Sequence, residues 1–138
     1  MIARLAIPFI WLIDAALVLR LWNVWDRLPE RVAVHFGIAM EPNSWSSRTA
    51  MAVMVVLALA VHAGLATWLI ARYGAHNAMI AVILITVATV LVSAFWQMIA
   101  FNVDGKPFQA AWVLVPVLLM LGLVSVFVFS AMVRQPFH

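Results

Sequence analysis

The chain has 138 residues, of which 67% are hydrophobic and 9% charged, with no cysteine and a formal net charge of +3. Soluble domains contain roughly 45–50% apolar and about 25% charged residues, and a domain of this length cannot hide such an excess of apolar side chains from water. The composition therefore excludes a soluble protein, a disulfide scaffold and a cysteine-ligated metal site, and the cations are too scattered for a nucleic-acid-binding surface.

Four segments are long and apolar enough to span a membrane. A spanning helix needs about 20 predominantly apolar residues to cross the hydrocarbon core. Asp14 interrupts the first segment and no small-x-small cleavage pattern follows it, which favours a span over a secretory signal. The sequence predicts an all-α integral membrane protein: a four-helix transmembrane bundle in a single membrane domain. Its spans are predicted at residues 6–22, 50–70, 77–101 and 110–133 of the domain 1–138.

The connections between these spans differ in length. Residues 23–49 form one long loop between the first two spans and contain two prolines. Residues 72–76 form a tight connection between the two helices of a helical hairpin. Residues 102–109 contain Asp104-Gly105, a turn signal. Because the long loop is the only sizeable polar segment, we expect recognition to occur there or at the helix ends beneath it.

Arginine and lysine are unevenly divided between the two predicted membrane faces. Counted alone, they place the long loop in the cytoplasm, and they also suit contact with anionic headgroups of the lipid bilayer. Most of the seven tryptophans lie near segment ends, as expected for the membrane–water boundary. The cations on the long-loop face are Arg20, Arg27, Arg31, Arg48 and Lys106, and those on the other face are Arg4, Arg72 and Arg134.

Two ionisable residues lie inside predicted spans. Asp14 is near the middle of the first span and His62 is about halfway along the second, so adjacent antiparallel helices place them at similar depth. An ionisable residue within a span costs about 2.5–3.5 kcal/mol on insertion scales and indicates a specific role. The two side chains either hold the helices together, take part in proton or ligand movement, or make no contact.

Several polar residues gather at the end of the bundle beneath the long loop. Gln97 lies in the last third of the third span and Pro116 in the first third of the fourth, while Asp104 and Lys106 lie in the following connection. This polar end is the nearest feature to a binding site in the sequence. Alternatively, Gln97 hydrogen-bonds a neighbouring helix and Pro116 is one of the prolines that spanning helices tolerate.

The histidine spacing does not favour a metal site. None of His35, His62, His76 and His138 lies three or four residues from another potential ligand on a helix. The sequence also contains no nucleophile with a base at a recognisable spacing, no glycine-rich phosphate loop and no HExxH pair. We therefore expect a non-enzymatic protein without a metal or cofactor.

The long loop resembles a known membrane family. Its order of residues is similar to that of the family called domain of unknown function 1648, in which an aromatic residue, Leu-Pro, His-Phe, a Gly-x-Pro-Asp turn and Ser-Lys precede the second span. The resemblance covers residues 25–48 and the flanking helices. The residues that carry it are Trp25, Leu28-Pro29, His35-Phe36, Pro42-Asn43, Trp45 and Ser47-Arg48.

Four positions depart from the family pattern. Ala33 replaces the usual proline, Met40 the usual glycine, Asn43 the usual aspartate and Arg48 the usual lysine. The change at Met40 leaves the turn geometry open, because glycine reaches positive φ without a Cβ penalty.

The family resemblance implies a location and an orientation. The family forms the front part of longer immunity proteins of the SdpI type, which protect spore-forming bacteria from their own secreted killing peptide and relay its presence to a repressor. Those proteins have additional helices beyond the four spans predicted in this sequence. The resemblance implies a bacterial inner-membrane protein with an extracytoplasmic long loop and cytoplasmic termini, and we adopt this orientation over the arginine count.

The candidate binding residues lie in the long loop. Pro29 biases Leu28 towards an extended backbone, and Pro42 restrains Glu41 similarly, which predicts a compact loop on the membrane surface with Phe36 and Trp45 dipping into the interface. His35 can change charge near neutral pH and is a candidate switch, or else it packs against the loop backbone. The complete set is Trp25, Leu28, Pro29, His35, Phe36, Pro42, Asn43, Trp45 and Arg48.

Three functions remain open from the sequence. The first is an immunity-like or signalling-like protein that binds or senses a peptide or protein partner. The second is a small accessory subunit of a larger membrane complex, with a homo-oligomer as a related possibility. The third is a proton-coupled carrier that uses Asp14 and His62.

Overall fold

A computed structural model describes residues 2–73 and 78–133 of the chain. Helices cover all four predicted spans, and each begins or ends within a few residues of the expected position. Three of the described helices, α1 to α3, are long and apolar enough to cross a membrane, and α4 is apolar over Ala111–Val126. The helices are α1 (Ile2–Asn23), α2 (Arg48–Tyr73), α3 (Ala78–Asp104) and α4 (Ala111–Val133).

The helices are apolar on both their inner and their outer faces. In α2, the buried residues recur every three or four positions and form one stripe along the helix. The opposite face is also apolar, with Leu57 and Leu65 both exposed. A helix that is apolar all round is typical of a membrane span, since only lipid makes the outer face favourable. The buried stripe consists of Met51, Val55, Leu59, Ala63, Ala66 and Ile70.

The long loop contains a β-hairpin, so the prediction of an all-α chain is wrong for this segment. Strand β1 (Arg31–Phe36) pairs antiparallel with β2 (Pro42–Ser47), after a short 3-10 turn at Trp25–Arg27. The prolines and β-branched residues favour extended backbone here. Val34 and Asn43 each lie at an irregularity of the strand register, which breaks the alternation that would have predicted two strands.

The turn of the hairpin contains a residue with positive φ that is not a glycine. Met40 has φ of 60°. Its N–H donates to the carbonyl of Gly37 (2.9 Å), and the Gly37 N–H donates to the carbonyl of Glu41 (2.8 Å). The sequence did not decide the geometry of this turn. The structure places a methionine in the left-handed region, which L-residues other than asparagine and aspartate rarely enter.

The core has two parts, one at each end of the bundle. The part at the hairpin end joins α1, α2 and α3 to the long loop, and α4 packs chiefly against α3. The part at the opposite end contains several alanines, which let the helices approach closely. The hairpin-end residues are Leu17, Leu21, Val24, Leu28, Val32, Met51, Val55, Leu59, Met98 and Ile99. The opposite-end residues are Ala6, Ile10, Ala63, Ala66, Ile70, Ala81, Leu84 and Ala88.

Candidate functional site

One asparagine side chain makes several hydrogen bonds between the hairpin and the bundle. The N–H of Ala33 donates to Oδ1 of Asn102 (2.7 Å), and Nδ2 of Asn102 donates to the carbonyls of Ala33 (2.9 Å) and Met98 (2.8 Å). Ala33 and its neighbour Val32 are fully buried. Asn102 thus satisfies both backbone groups of a buried strand residue and holds β1 against the end of α3.

Arg48 connects the two ends of the long loop. Its guanidinium lies 5.2 Å from the centre of the Trp25 ring and donates to the carbonyl of Leu28 at 3.4 Å. Its backbone N–H donates to the carbonyl of Glu30 at 3.0 Å. Leu28 is buried in the hairpin-end core and Trp25 packs against it. Arg48 therefore bridges Trp25, Leu28 and the backbone of Glu30, and these contacts stabilise the loop.

Phe36 packs within an aromatic cluster at the end of α3. Its ring lies 5.1 Å from that of Phe101 and 4.9 Å from that of Phe108. These contacts form because β1 runs beside α3. Trp45, by contrast, is 49% exposed, and Pro29 is exposed as well.

His35 contacts Asn43 across the two strands. Nδ1 of His35 lies 2.6 Å from Oδ1 of Asn43, so the protonated Nδ1 donates to the amide oxygen. Both residues are exposed, and Pro42 beside them is half-buried. The alternative in which His35 hydrogen-bonds the loop backbone is therefore replaced by a side-chain contact on the surface.

An open cavity of about 560 Å³ lies at the polar end of the bundle. As the sequence suggested, Gln97, Asp104 and Lys106 come together there. Oε1 of Gln97 accepts from the Gln109 N–H (2.6 Å). Pro116 lies within α4 and is not among the residues of the cavity wall.

Arg20 contributes a cation to this cavity. The side chain comes from the last turn of α1, and its guanidinium lies 4.0 Å from the centre of the Trp96 ring. Nε of Arg20 and Nε2 of Gln97 are both buried and have no hydrogen-bond acceptor. The cavity therefore combines an apolar wall with two unpaired N–H donors.

A salt bridge ties the long loop to the connection after α3. The guanidinium of Arg27 lies 2.8 Å from Oδ1 of Asp104, and Nζ of Lys106 lies 3.8 Å from Oδ2 of the same carboxylate. This contact places the two connections on the same end of the bundle, as predicted.

Asp14 and His62 do meet between α1 and α2. Nδ1 of His62 lies 3.8 Å from Oδ2 of Asp14, and neither side chain is more than 9% exposed. The distance exceeds hydrogen-bond range, and none of the four polar atoms has another hydrogen-bond partner. Asp14 also borders an apolar groove of about 430 Å³. The contact joins α1 to α2 and leaves the hydrogen-bonding capacity of both side chains unused.

Two of the four histidines considered as metal ligands, His76 and His138, lie outside the described residues. The other two lie in different parts of the structure: His35 is on the hairpin surface, and His62 is buried beside Asp14.

One known family matches part of the chain, from α1 through the hairpin to the first half of α2. The model of the family described as "Domain of unknown function (DUF1648)" matches residues 11–60. The expected resemblance to DUF1648 is therefore confirmed for this segment. The DUF1648 segment includes Asp14, Arg20 and the complete hairpin, whereas His62 and the α3 side of the cavity lie outside it. No curated protein and no solved structure matches the chain.

Sequence reasoning missed the roles of Asn102, Arg20 and Arg27. In the sequence, Asn102 is only the first residue of the predicted connection 102–109, and the two arginines are only members of a charge count. A polar amide at the end of an apolar helix and a cation in the last turn of a span were the available signals. Their partners are distant in the chain and could not be inferred from spacing.

Proposed function

We propose that the protein is a non-enzymatic membrane protein that binds a peptide or protein partner through its hairpin. The proposal includes four spans, a bacterial inner-membrane location, cytoplasmic termini and an extracytoplasmic hairpin. The four apolar helices and the DUF1648 segment support this reading. An immunity-like or signalling-like role follows if the partner is a secreted peptide.

The observation that carries the proposal is the free edge of β2. Among the described residues, β2 pairs only with β1, and its sequence PNSWSS contains no charge. Free edges of this kind normally carry charges or are covered, because unpaired N–H and C=O groups attract another strand. An extended peptide that adds to such an edge gains main-chain hydrogen bonds, and side-chain contacts then supply specificity.

Two exposed apolar side chains flank this edge. Ile38 at the tip of the hairpin is fully exposed, and Trp45 in β2 is 49% exposed. Large aromatic anchors commonly dominate binding energy at interfaces. Since Asn102 and the buried Val32 hold β1 in place, the hairpin presents Ile38 and Trp45 on a preformed surface.

Site-specific photo-crosslinking in native membranes tests the proposal. A photoreactive amino acid at Ser44 or Ile38 is expected to give one discrete adduct with a peptide or protein. Trp45→Ala in the same chain should reduce that adduct about tenfold, the loss expected for an aromatic anchor. Leu12, which is exposed on the outer face of α1, is the control position and should give lipid adducts only.

The same experiment contains the result that contradicts the proposal. Equal adducts at Ser44 and Leu12, or an adduct that Trp45→Ala leaves unchanged, would remove the hairpin as the recognition surface. A protein adduct from Leu12 alone would instead favour an accessory subunit that packs its helices against a larger membrane complex.

A second candidate function rests on the buried Asp14–His62 contact. Four polar atoms without hydrogen bonds are unusual inside a membrane, where ionisable residues commonly mark ion or proton pathways. A proton-coupled carrier would use this pair as the protonation site. Asp14→Asn is then expected to abolish proton uptake by reconstituted vesicles, and unchanged uptake would exclude this function.

A further inference from the structure

We propose that the cavity between the end of α1, α3 and the start of α4 binds the headgroup of an anionic phospholipid. This inference does not depend on the hairpin function proposed above, because the cavity and the free edge of β2 share no residue.

The cavity has an excess of positive charge. Arg20 and Lys106 both line it, and Asp104 is the only acid in its wall. Arg27, from outside the wall, lies 2.8 Å from the Asp104 carboxylate and already balances it. A net positive site remains, and it attracts a group with a negative charge.

Two residues of the cavity wall have N–H donors that need an acceptor. Nε of Arg20 and Nε2 of Gln97 are buried and have no partner. A buried N–H group without an acceptor costs about 1–3 kcal/mol, and more when the donor is charged. Phosphate oxygens are suitable acceptors, since guanidinium groups bind them through two parallel hydrogen bonds.

The other walls favour a lipid over a free ion. Val92, Trp96, Ala100 and Trp112 supply apolar surface beside the donors. The cavity volume of about 560 Å³ is typical of sites for small molecules. This volume is far larger than one phosphate needs. An amphiphile satisfies both parts, with its headgroup at Arg20 and its upper acyl chain along the tryptophans.

The depth of the cavity agrees with the headgroup region. Arg20 lies in the last turn of α1, and Trp112 lies at the start of α4. Tryptophans prefer the membrane–water boundary, so the donors lie where the phosphates of the hairpin-side leaflet are located.

Binding of defined lipids to the purified full-length chain tests this inference. Native mass spectrometry in detergent would compare phosphatidylglycerol with phosphatidylcholine of identical acyl chains. We expect about tenfold tighter binding of phosphatidylglycerol, because both lipids carry a phosphate but only phosphatidylglycerol has a net negative charge. Arg20→Gln should reduce this preference, since it removes one of the cations that line the cavity. Arg31→Gln, an equal charge change at an exposed position outside the cavity, should leave it intact.

A second variant guards against misfolding of Arg20→Gln. Gln97→Glu retains an oxygen that accepts from the Gln109 N–H but adds a negative charge to the cavity, so it should also lower phosphatidylglycerol binding without affecting phosphatidylcholine.

Three results would overturn the assignment. The first is equal binding of the two lipids by the unmodified chain. The second is an equal loss with Arg31→Gln and Arg20→Gln, which would indicate diffuse surface charge. The third is displacement of the lipid by an excess of inorganic phosphate, which would identify a site for the free anion.

Discussion

Met40 holds a backbone conformation that is unfavourable for its side chain. Its φ of 60° lies in the left-handed region, where the Cβ of an L-residue approaches a carbonyl oxygen and costs about 1–2 kcal/mol. Two hydrogen bonds across the turn, from Met40 to Gly37 and from Gly37 to Glu41, offset this cost. The hairpin therefore forms despite its turn residue, and the turn is a place where stability can be gained.

Met40→Gly is expected to stabilise the protein by about 0.5–1 kcal/mol. The substitution removes the Cβ strain, and the extra backbone entropy of glycine in the unfolded chain cancels part of the gain. Thermal unfolding in detergent measures the effect. Ala39→Gly, at a neighbouring position without positive φ, should destabilise the protein instead, and the same sign for both variants would contradict the explanation.

The contact between Asp14 and His62 predicts an energetic coupling between the two side chains that unfolding experiments can measure. Removing one partner of a buried pair leaves the other unpaired, whereas replacing both by apolar residues is often neutral or stabilising. We expect Asp14→Leu and His62→Leu each to lower stability, and the double variant to lose less than the sum of the two. A double-mutant cycle should show a coupling of about 0.5–3 kcal/mol, typical of residues in contact; additive losses would mean no energetic contact.

At the scale of elements, the hairpin depends on α3. An isolated two-stranded hairpin is marginally stable in water. Here β1 gains stability from the burial of Val32 and Ala33 and from the hydrogen bonds of Asn102. The packing of Phe36 against Phe101 and Phe108 adds a further apolar contact.

Asn102→Ala is expected to detach the hairpin from the bundle and to cost about 2–3 kcal/mol. The substitution leaves the buried N–H and C=O of Ala33 without partners, and each such group is costly. Hydrogen exchange of the β1 amides should accelerate while exchange in the middle of α2 stays unchanged. Asn43→Ala removes only an exposed contact with His35, so slow exchange of β1 should persist in that variant; fast exchange in both would show that Asn102 has no special role.

At the scale of the whole molecule, the polar contacts of the described residues are concentrated at one end of the bundle. The hairpin, the Arg27–Asp104 salt bridge and the cavity all lie there. The described part of the opposite end is packed mainly by alanine, leucine and isoleucine. Both proposed binding sites therefore lie at the same end of the bundle.

Single-cysteine labelling tests this arrangement directly, because the chain contains no cysteine of its own. In intact cells, a membrane-impermeant maleimide should label Ser44→Cys and Lys106→Cys to a similar extent. It should label Tyr73→Cys, at the end of α2, only after the membrane is opened. Labelling of Ser44→Cys and Lys106→Cys from opposite sides would contradict the contact between the long loop and the α3–α4 connection.

The sequence by itself determined the membrane class, the approximate helices and the family of the long loop. Apolar runs of spanning length are a local property, since every residue in them must be compatible with lipid. A contact between Asp14 and His62 was one of the alternatives that the sequence left open, because the two residues lie at similar depth in adjacent helices, and the structure brings them within 3.8 Å.

Only the tertiary structure decided how the long loop folds and what its residues do. Asn102 lies 69 residues from Ala33 in the chain, and Trp96 comes from a different helix than Arg20. No local pattern encodes such contacts, so neither the hairpin nor the packing of Phe36 against Phe101 could be predicted from the sequence. The marginal stability of an isolated hairpin is the physical reason, because packing against α3 and not the preference of the strands themselves stabilises it.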